Sequence, residues 1–265
     1  MSNTKVNTSI KILVTLSFLV MIIINALANI LPINNQTTGQ IADAYPNLFA
    51  PAGYTFAIWG LIYLLLSAYT LYQLGLFQKG TDPARAKLLN TVGLYFTLSS
   101  LANAAWIFSW HYHLIPLSML LMLIILLCLI VINQAIAKTA LSPKDKFFIK
   151  LPFAVYFGWI TVATIANATV LLVSIGWDGW GISEPVWTVI ILFVGALIGL
   201  ITMLYLKNMA YGLVLIWAYT GILVKHLSPS GFDGQYPAVI TAAIICIGLF
   251  AIAEVYLYVS KRKHR

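Results

Sequence analysis

Eight long apolar stretches constrain this chain more than any other feature of its sequence. They cover roughly residues 12–32, 53–77, 88–111, 115–137, 148–174, 187–206, 209–226 and 237–260. Each approaches the ~20 residues that an α-helix needs to cross the hydrocarbon core of a bilayer. A chain with 61% hydrophobic and 8% charged residues has too much apolar surface for a soluble core of this size. The sequence therefore predicts an all-α integral membrane protein with about eight transmembrane helices.

The basic residues predict which loops share one side of the membrane. With eight spans, 14 of the 15 Lys and Arg residues fall beside the two chain ends or in the loops on the same side as those ends. These are Lys5, Lys11, Lys79, Arg85, Lys87, Lys138, Lys144, Lys146, Lys150, Lys207, Lys261, Arg262, Lys263 and Arg265. The opposite loops carry Lys225 together with Asp43, Asp178, Glu184 and Asp233. Because basic loops stay in the cytoplasm, we expect both termini there, in a bacterial plasma membrane. The net charge of +8 is thus explained by basic loops on one side of the membrane. Because the basic residues do not form a single patch, we expect no nucleic-acid partner.

Two parts of the chain leave alternatives open. Lys5 and Lys11, an apolar run and Ala26-Leu27-Ala28 also fit a cleaved signal peptide, although apolar character continues to Ile33 and favours a membrane span. The long outer loop, about residues 33–50, is either a cover over the mouth of a pocket or a plain solvated connection.

Three of the predicted helices carry an aromatic face. The residues concerned are Phe56, Trp59 and Tyr63 in the second span, Tyr95, Ser99, Asn103, Trp106 and Trp110 in the third, and Tyr156, Trp159, Ala163 and Asn167 in the fifth. Their spacings of three and four place each set on one side of its helix. Such stripes also arise from simple helix packing. Large rings beside small residues and a few amides favour a site for a flat apolar ligand, because stacking and buried area supply most of its affinity.

The same residues carry a resemblance to a known family. The pattern runs Pro51-x-Gly53-x-x-Phe56-x-x-Trp59-x-x-x-Tyr63, then Asn103-x-x-Trp106, then Tyr156-Phe157-Gly158-Trp159 with Asn167 eight residues later. In this order it resembles the TspO/MBR family, the tryptophan-rich sensory proteins related to the mitochondrial translocator protein. The resemblance covers about residues 12–174, the first five spans.

This resemblance implies a five-helix membrane bundle, here residues 1–176, that binds porphyrins, sterol-like or other hydrophobic molecules between helices two, three and five. The ligand-binding residues would be Phe56, Trp59, Tyr63, Asn103, Trp106, Tyr156, Trp159, Ala163 and Asn167. Ala52, Tyr54 and Val155 depart from residues usual in the family. Residues 177–265 have no counterpart in the five-helix members, and they predict a further three-helix membrane segment with a basic cytoplasmic tail.

We therefore expect a membrane binding protein or sensor for a porphyrin- or sterol-like molecule. The alternatives are a facilitator that moves such molecules across the membrane, a porphyrin-degrading enzyme, and a structural scaffold that binds no ligand. Catalysis is less expected, because no nucleophile triad or nucleotide-binding motif appears in a plausible context. We expect no tightly bound cofactor, so porphyrin or haem would enter as a ligand. The partners expected are this small molecule and the lipid bilayer.

Three remaining features of the sequence are explained by structure without a special function. His111 and His113 lack a nearby acid or Cys, and no metal site is expected there. Gly195 and Gly199 form a GxxxG pair, which favours packing within this chain over a homodimer. Glu254 is the only acid well inside a span, and snorkelling or local pairing near Lys261 is favoured over proton coupling.

Overall fold

A computed structural model describes residues 5–31, 33–78 and 82–263. Within those ranges eight helices are long and apolar enough to cross a membrane. They are α1 (Thr8–Ile30), α2 (Gly53–Leu74), α3 (Pro83–His111), α4 (Ile115–Ala137), α5 (Pro143–Ser174), α6 (Glu184–Leu206), α7 (Met209–Leu227) and α8 (Pro237–Lys263). The described residues contain no strand. The prediction of an all-α membrane protein with eight spans is confirmed. Lys79 and Arg265, which contributed to the topology prediction, lie outside the described residues.

Local sequence explains how several of these helices begin and end. Asp82 caps α3 by accepting hydrogen bonds from the backbone of the first turn. Ser142 and Asp145 form a reciprocal capping box at the start of α5. At the end of α2, Lys11 Nζ donates a hydrogen bond to the Leu74 carbonyl at 3.1 Å, and Gly75 adopts φ +106°. These polar interactions lie at the ends of the apolar stretches, where the chain leaves the membrane.

Two of the spans are not α-helical throughout. The first turn of α2, Gly53–Ala57, is a 3-10 helix, and the α-helix proper runs over Ile58–Leu74. In α5 a π-helical turn, Lys146–Lys150, separates the capped first turn from the α-helix Leu151–Ser174. The 3-10 turn contains Phe56 and precedes Trp59 and Tyr63, and the π-helical turn precedes Tyr156 and Trp159.

The chain divides into two compact units. The first contains the chain up to Ile41 together with Trp59–Phe157, and the second contains Ala42–Ile58 and the chain from Gly158 onward. The domain boundary at residue 176, which rests on the family resemblance, stays a prediction.

In the first unit, α1 and α4 pack against α3. In the same unit the ring of Phe96 on α3 lies 5.9 Å from Phe18 of α1, 5.4 Å from Tyr69 of α2 and 5.4 Å from Phe153 of α5. The last two contacts are edge-to-face, the arrangement that the ring quadrupoles favour. Part of the aromatic content of these helices is therefore structural core.

In the second unit, α6 and α7 pack against α8. A side chain at Gly195 would meet the Tyr219 hydroxyl, and one at Gly199 would meet Leu215 and Phe250. The GxxxG pair therefore makes room for residues of α7 and α8 in the same chain, which is the packing that the sequence favours. A homodimer stays a prediction.

The loop before α2 is held at several points. In the first unit, Asn34 Nδ2 donates to the His111 carbonyl at 2.9 Å, and the Trp110 indole donates to the Thr38 carbonyl at 3.1 Å. The loop also forms a short helix, Thr38–Asp43. It is therefore anchored to the end of α3, and a plain solvated connection does not describe it.

Further along, in the second unit, the same loop is held through Leu48. Its N–H donates to Glu184 Oε1 at 3.0 Å, and its carbonyl accepts from His226 Nε2 at 2.9 Å. Asn47, Leu48 and Phe49 are all buried. The peptide of Leu48 thus joins the start of α6 to the end of α7.

Candidate functional site

A cluster of three rings lies in the first unit, formed by α2 and α5. Trp59 and Tyr63 are one helical turn apart and stack at 5.5 Å between ring centroids, with 21° between their planes. Tyr156 meets Trp59 at 6.0 Å with its ring inclined by 60°. Trp59 and Tyr63 are half-buried, whereas Tyr156 is fully buried. We call Trp59, Tyr63 and Tyr156 the ring cluster.

Polar groups lie beside the ring cluster. The Tyr156 hydroxyl is buried and has no hydrogen-bond partner among the described residues. The Asn103 side chain lies near that hydroxyl, without a hydrogen bond of ordinary geometry between them. Asn103 Oδ1 instead accepts from Asn25 Nδ2 at 2.7 Å, and the same Asn25 nitrogen donates to the Met21 carbonyl. The result is an aromatic surface with one buried polar edge.

Trp106 packs against another tryptophan of its own helix, Trp110. It stacks on Trp110 at 5.3 Å with 22° between the planes, and both rings are buried. The Trp110 indole binds the Thr38 carbonyl. The pair therefore fixes the first part of the loop to α3.

The second unit contains the other predicted site residues. Phe56 meets Trp159 edge-on at 5.7 Å. Phe56 is 37% exposed, whereas Trp159 is buried. Asn167 is buried and Ala163 is half-buried.

The structure thus brings some predicted residues together and distributes others. Trp59, Tyr63 and Tyr156 meet in the ring cluster, and Phe56 meets Trp159. Asn25, the partner of Asn103, is not among the residues predicted from the sequence. A signal was available, because an amide inside an apolar helix needs a partner that lipid does not provide.

The two histidines at the end of α3 make separate contacts. His111 Nδ1 donates to the Ile107 carbonyl at 2.8 Å, and His113 Nε2 lies 2.9 Å from Gln36 Oε1. In the part of the chain that the structure describes, no three His, Cys, Asp or Glu residues are grouped to hold a metal ion.

The ring cluster suits a flat apolar molecule that carries one polar group. Trp59 and Tyr63 supply stacking area, and the buried hydroxyl of Tyr156 supplies a hydrogen-bond donor. Binding sites for small molecules commonly combine such apolar walls with a few placed polar groups. Fold and site together define a polytopic α-helical membrane protein with an aromatic surface inside its first unit.

Comparison with known families identifies the chain more closely. A family model described as TSPO-like protein matches residues 11–256. The chain therefore belongs to the family of TSPO-like proteins, and the resemblance drawn from its motifs is confirmed. The match continues well into α8, so it includes the three helices that the motif resemblance did not reach. No curated protein and no solved structure matches the chain. Membership indicates a membrane sensor or binding protein in general terms.

Proposed function

We propose that this protein is a membrane receptor for a hydrophobic, porphyrin- or sterol-like molecule, bound against the ring cluster of the first unit. The observation that carries the proposal is the buried hydroxyl of Tyr156, which has no hydrogen-bond partner among the described residues and lies beside the stacked rings of Trp59 and Tyr63. Family membership supports a binding or sensory role in the membrane.

The aromatic surface accounts for affinity by burial. A micromolar Kd corresponds to about 8 kcal/mol of binding free energy. At ~25 cal/mol per Å² this requires roughly 330 Å² of buried apolar area, before the costs of ordering the ligand are added. A porphyrin or sterol stacked between several rings has a surface of the size required.

The Tyr156 hydroxyl accounts for orientation. A buried hydroxyl without a partner costs about 1–3 kcal/mol relative to a satisfied one. A ligand oxygen placed against Tyr156 would recover part of that free energy. Porphyrin carboxylates and a sterol hydroxyl both provide such an acceptor, so the shared chemistry is an oxygen at the edge of a flat apolar body.

The test is titration of the purified protein in lipid nanodiscs with protoporphyrin IX, followed by quenching of tryptophan fluorescence. We expect saturable quenching, with Kd raised tenfold or more in Trp59→Ala. The matched control is Trp180→Ala, which removes a tryptophan that is 76% exposed in the loop after α5. Tyr156→Phe keeps the ring and is expected to raise Kd about fivefold, the equivalent of one hydrogen bond of ~1 kcal/mol.

Equal affinities for Trp59→Ala and Trp180→Ala would show that the ring cluster is not the binding site. Receptor and transporter are distinguished by vesicle flux of the same porphyrin. Saturable flux that requires Trp59 would show that the protein is a transporter of this molecule and not a receptor.

A further inference from the structure

The one acidic residue well inside a span is buried, and its carboxyl group has no hydrogen-bond partner in the part of the chain that the structure describes. Glu254 lies on α8 and is only 8% exposed. Neither of its carboxyl oxygens has a hydrogen-bond partner among the described residues. The local pairing near Lys261 that the sequence favoured is not formed, and burial excludes a snorkelling side chain.

The carboxyl group of Glu254 occupies a narrow apolar slot in the second unit. Its Oε1 lies directly against Gly212 of α7, so a methyl group on that glycine would overlap it. The same methyl would lie 2.6 Å from Met203 Sδ of α6. Gly212 and the Met203 thioether therefore lie together at this carboxyl oxygen, and neither compensates a negative charge.

Among the described residues, no charged or titratable group on α8 or on the helices packed against it hydrogen-bonds to Glu254. On α7, Tyr211 is buried and its hydroxyl donates to Thr161 at 3.2 Å. At the end of α6, Tyr205 is exposed, and so is Lys207 in the turn to α7. On α8 itself, the Arg262 guanidinium lies over the ring of Tyr258 at 5.3 Å, and Lys261 is exposed.

An ionised carboxylate in such a slot is unfavourable in free energy. Transfer of an unpaired charge into a protein interior costs several kcal/mol even after relaxation, whereas a carboxylic acid carries no net charge. We propose that Glu254 is a proton-binding site within the membrane: the folded protein holds it as the neutral acid, and the proton passes to water only when the contact between α7 and α8 opens. The step is the dissociation of one O–H bond, which leaves the carboxylate and a hydrated proton.

A metal ion suits this position less well. Alkali and alkaline-earth cations need several oxygen ligands around them, and Gly212 and Met203 present carbon and sulfur. The proton needs only the carboxylate. This assignment is independent of the ring cluster, which lies in the other unit.

The test is infrared spectroscopy of the full-length protein in lipid nanodiscs at neutral pH. We expect a C=O stretching band of a protonated carboxyl group, and we expect the wild type minus Glu254→Gln difference spectrum to contain it. The matched control is Asp233→Asn, which removes an exposed carboxylate at a positive-φ position that Asn tolerates. That control should leave the band unchanged.

Titration of the wild type alone keeps the test valid if the glutamine variant does not fold. In the wild type the band of the protonated carboxyl group should disappear as pH rises. In Gly212→Ala it should disappear at a lower pH, because the added methyl group displaces the carboxyl from its slot. Gly248→Ala on α8 has open space around it and should not move the transition. The proposal is overturned if the wild type lacks the band at neutral pH, if the band persists in Glu254→Gln, or if sodium or potassium removes it at constant pH.

Discussion

Buried amides in this protein hydrogen-bond to groups on their own and on neighbouring helices. Asn25 of α1 donates to Asn103 of α3, and Asn133 of α4 donates to the carbonyls of Leu129 and Phe153. In lipid no water replaces a lost partner, so these amides fix which helix faces meet. They act as specific contacts within otherwise non-directional apolar packing.

The pair Asn25–Asn103 is predicted to couple energetically. Interhelical hydrogen bonds in membrane proteins contribute about 0.6 kcal/mol on average and up to ~1.7 kcal/mol. A double-mutant cycle with Asn25→Ala and Asn103→Ala, measured by unfolding in mixed micelles, should give a coupling energy within that range.

The matched control cycle pairs Asn25→Ala with Asn133→Ala, because these residues have separate partners. Their effects on the free energy of unfolding should add to within about 0.5 kcal/mol. Additivity in the Asn25–Asn103 cycle would show that their hydrogen bond does not form in the membrane.

Because lipid offers no hydrogen-bond partner, the sequence indicates that the amide of Asn103 needs one within the protein, but it does not show which one. That answer requires knowing that α1 lies beside α3, which is a property of tertiary packing. The expectation for Glu254 failed for a similar reason, since helical spacing placed Lys261 two turns away but did not show that the carboxyl turns toward Gly212.

At the level of whole helices, close approach of backbones depends on single glycines. A Cβ at Gly158 of α5 would lie 2.9 Å from Val214 Cβ and 3.0 Å from the Tyr211 carbonyl oxygen of α7. One of these neighbours is backbone and cannot rotate away. Gly60 of α2, in contrast, has no atom within 4 Å of its added Cβ.

We predict opposite effects for two glycine-to-alanine changes. Gly158→Ala should lower the free energy of unfolding by about 1–3 kcal/mol, because it overpacks the contact between α5 and α7. Gly60→Ala should raise it by up to ~1 kcal/mol, because alanine loses less backbone entropy in a helix. Thermal unfolding in nanodiscs measures both effects. An unchanged stability of Gly158→Ala would mean that α5 and α7 lie further apart than the distances at Gly158 indicate.

The helices themselves were predictable because length and hydropathy are direct requirements of the bilayer. The starts of α3 and α5 are the largest differences, since these helices begin at Pro83 and Pro143, ahead of their apolar stretches. Asp82 and Ser142 cap them in the polar region, where hydropathy gives no signal. The π-helical turn Lys146–Lys150 has no pattern that distinguishes it from an ordinary helix.

For the molecule as a whole, the aromatic motifs and the family match cover different parts of the chain. The aromatic motifs end at Asn167, because only the second, third and fifth helices carry them. The family match extends to residue 256 and therefore rests also on helices without such motifs. Which rings meet was only partly predictable, because helical spacing assigns a face but not the neighbour of that face.

Membrane topology is the prediction that belongs to this scale. Ala140→Cys, in the basic loop before α5, and Ser230→Cys, in the loop after α7, are expected on opposite sides. A membrane-impermeant maleimide added to intact cells should label only Ser230→Cys, and permeabilisation should expose Ala140→Cys. The native Cys128 and Cys246 are buried and give little background. Labelling in the reverse order would invert the assigned orientation of both termini.

The peptide of Leu48 has a consequence for how the chain withstands cleavage. Asp43, Ala44 and Pro46 are exposed, whereas the next three residues are buried and Leu48 is bonded on both sides. A protease that cuts this exposed stretch would leave Leu48, Glu184 and His226 together on the C-terminal fragment, so both hydrogen bonds of the Leu48 peptide would survive the cut. The N-terminal fragment would stay bound to α3 through the hydrogen bonds Asn25–Asn103 and Asn34–His111, so the two fragments should migrate together until a denaturant separates them.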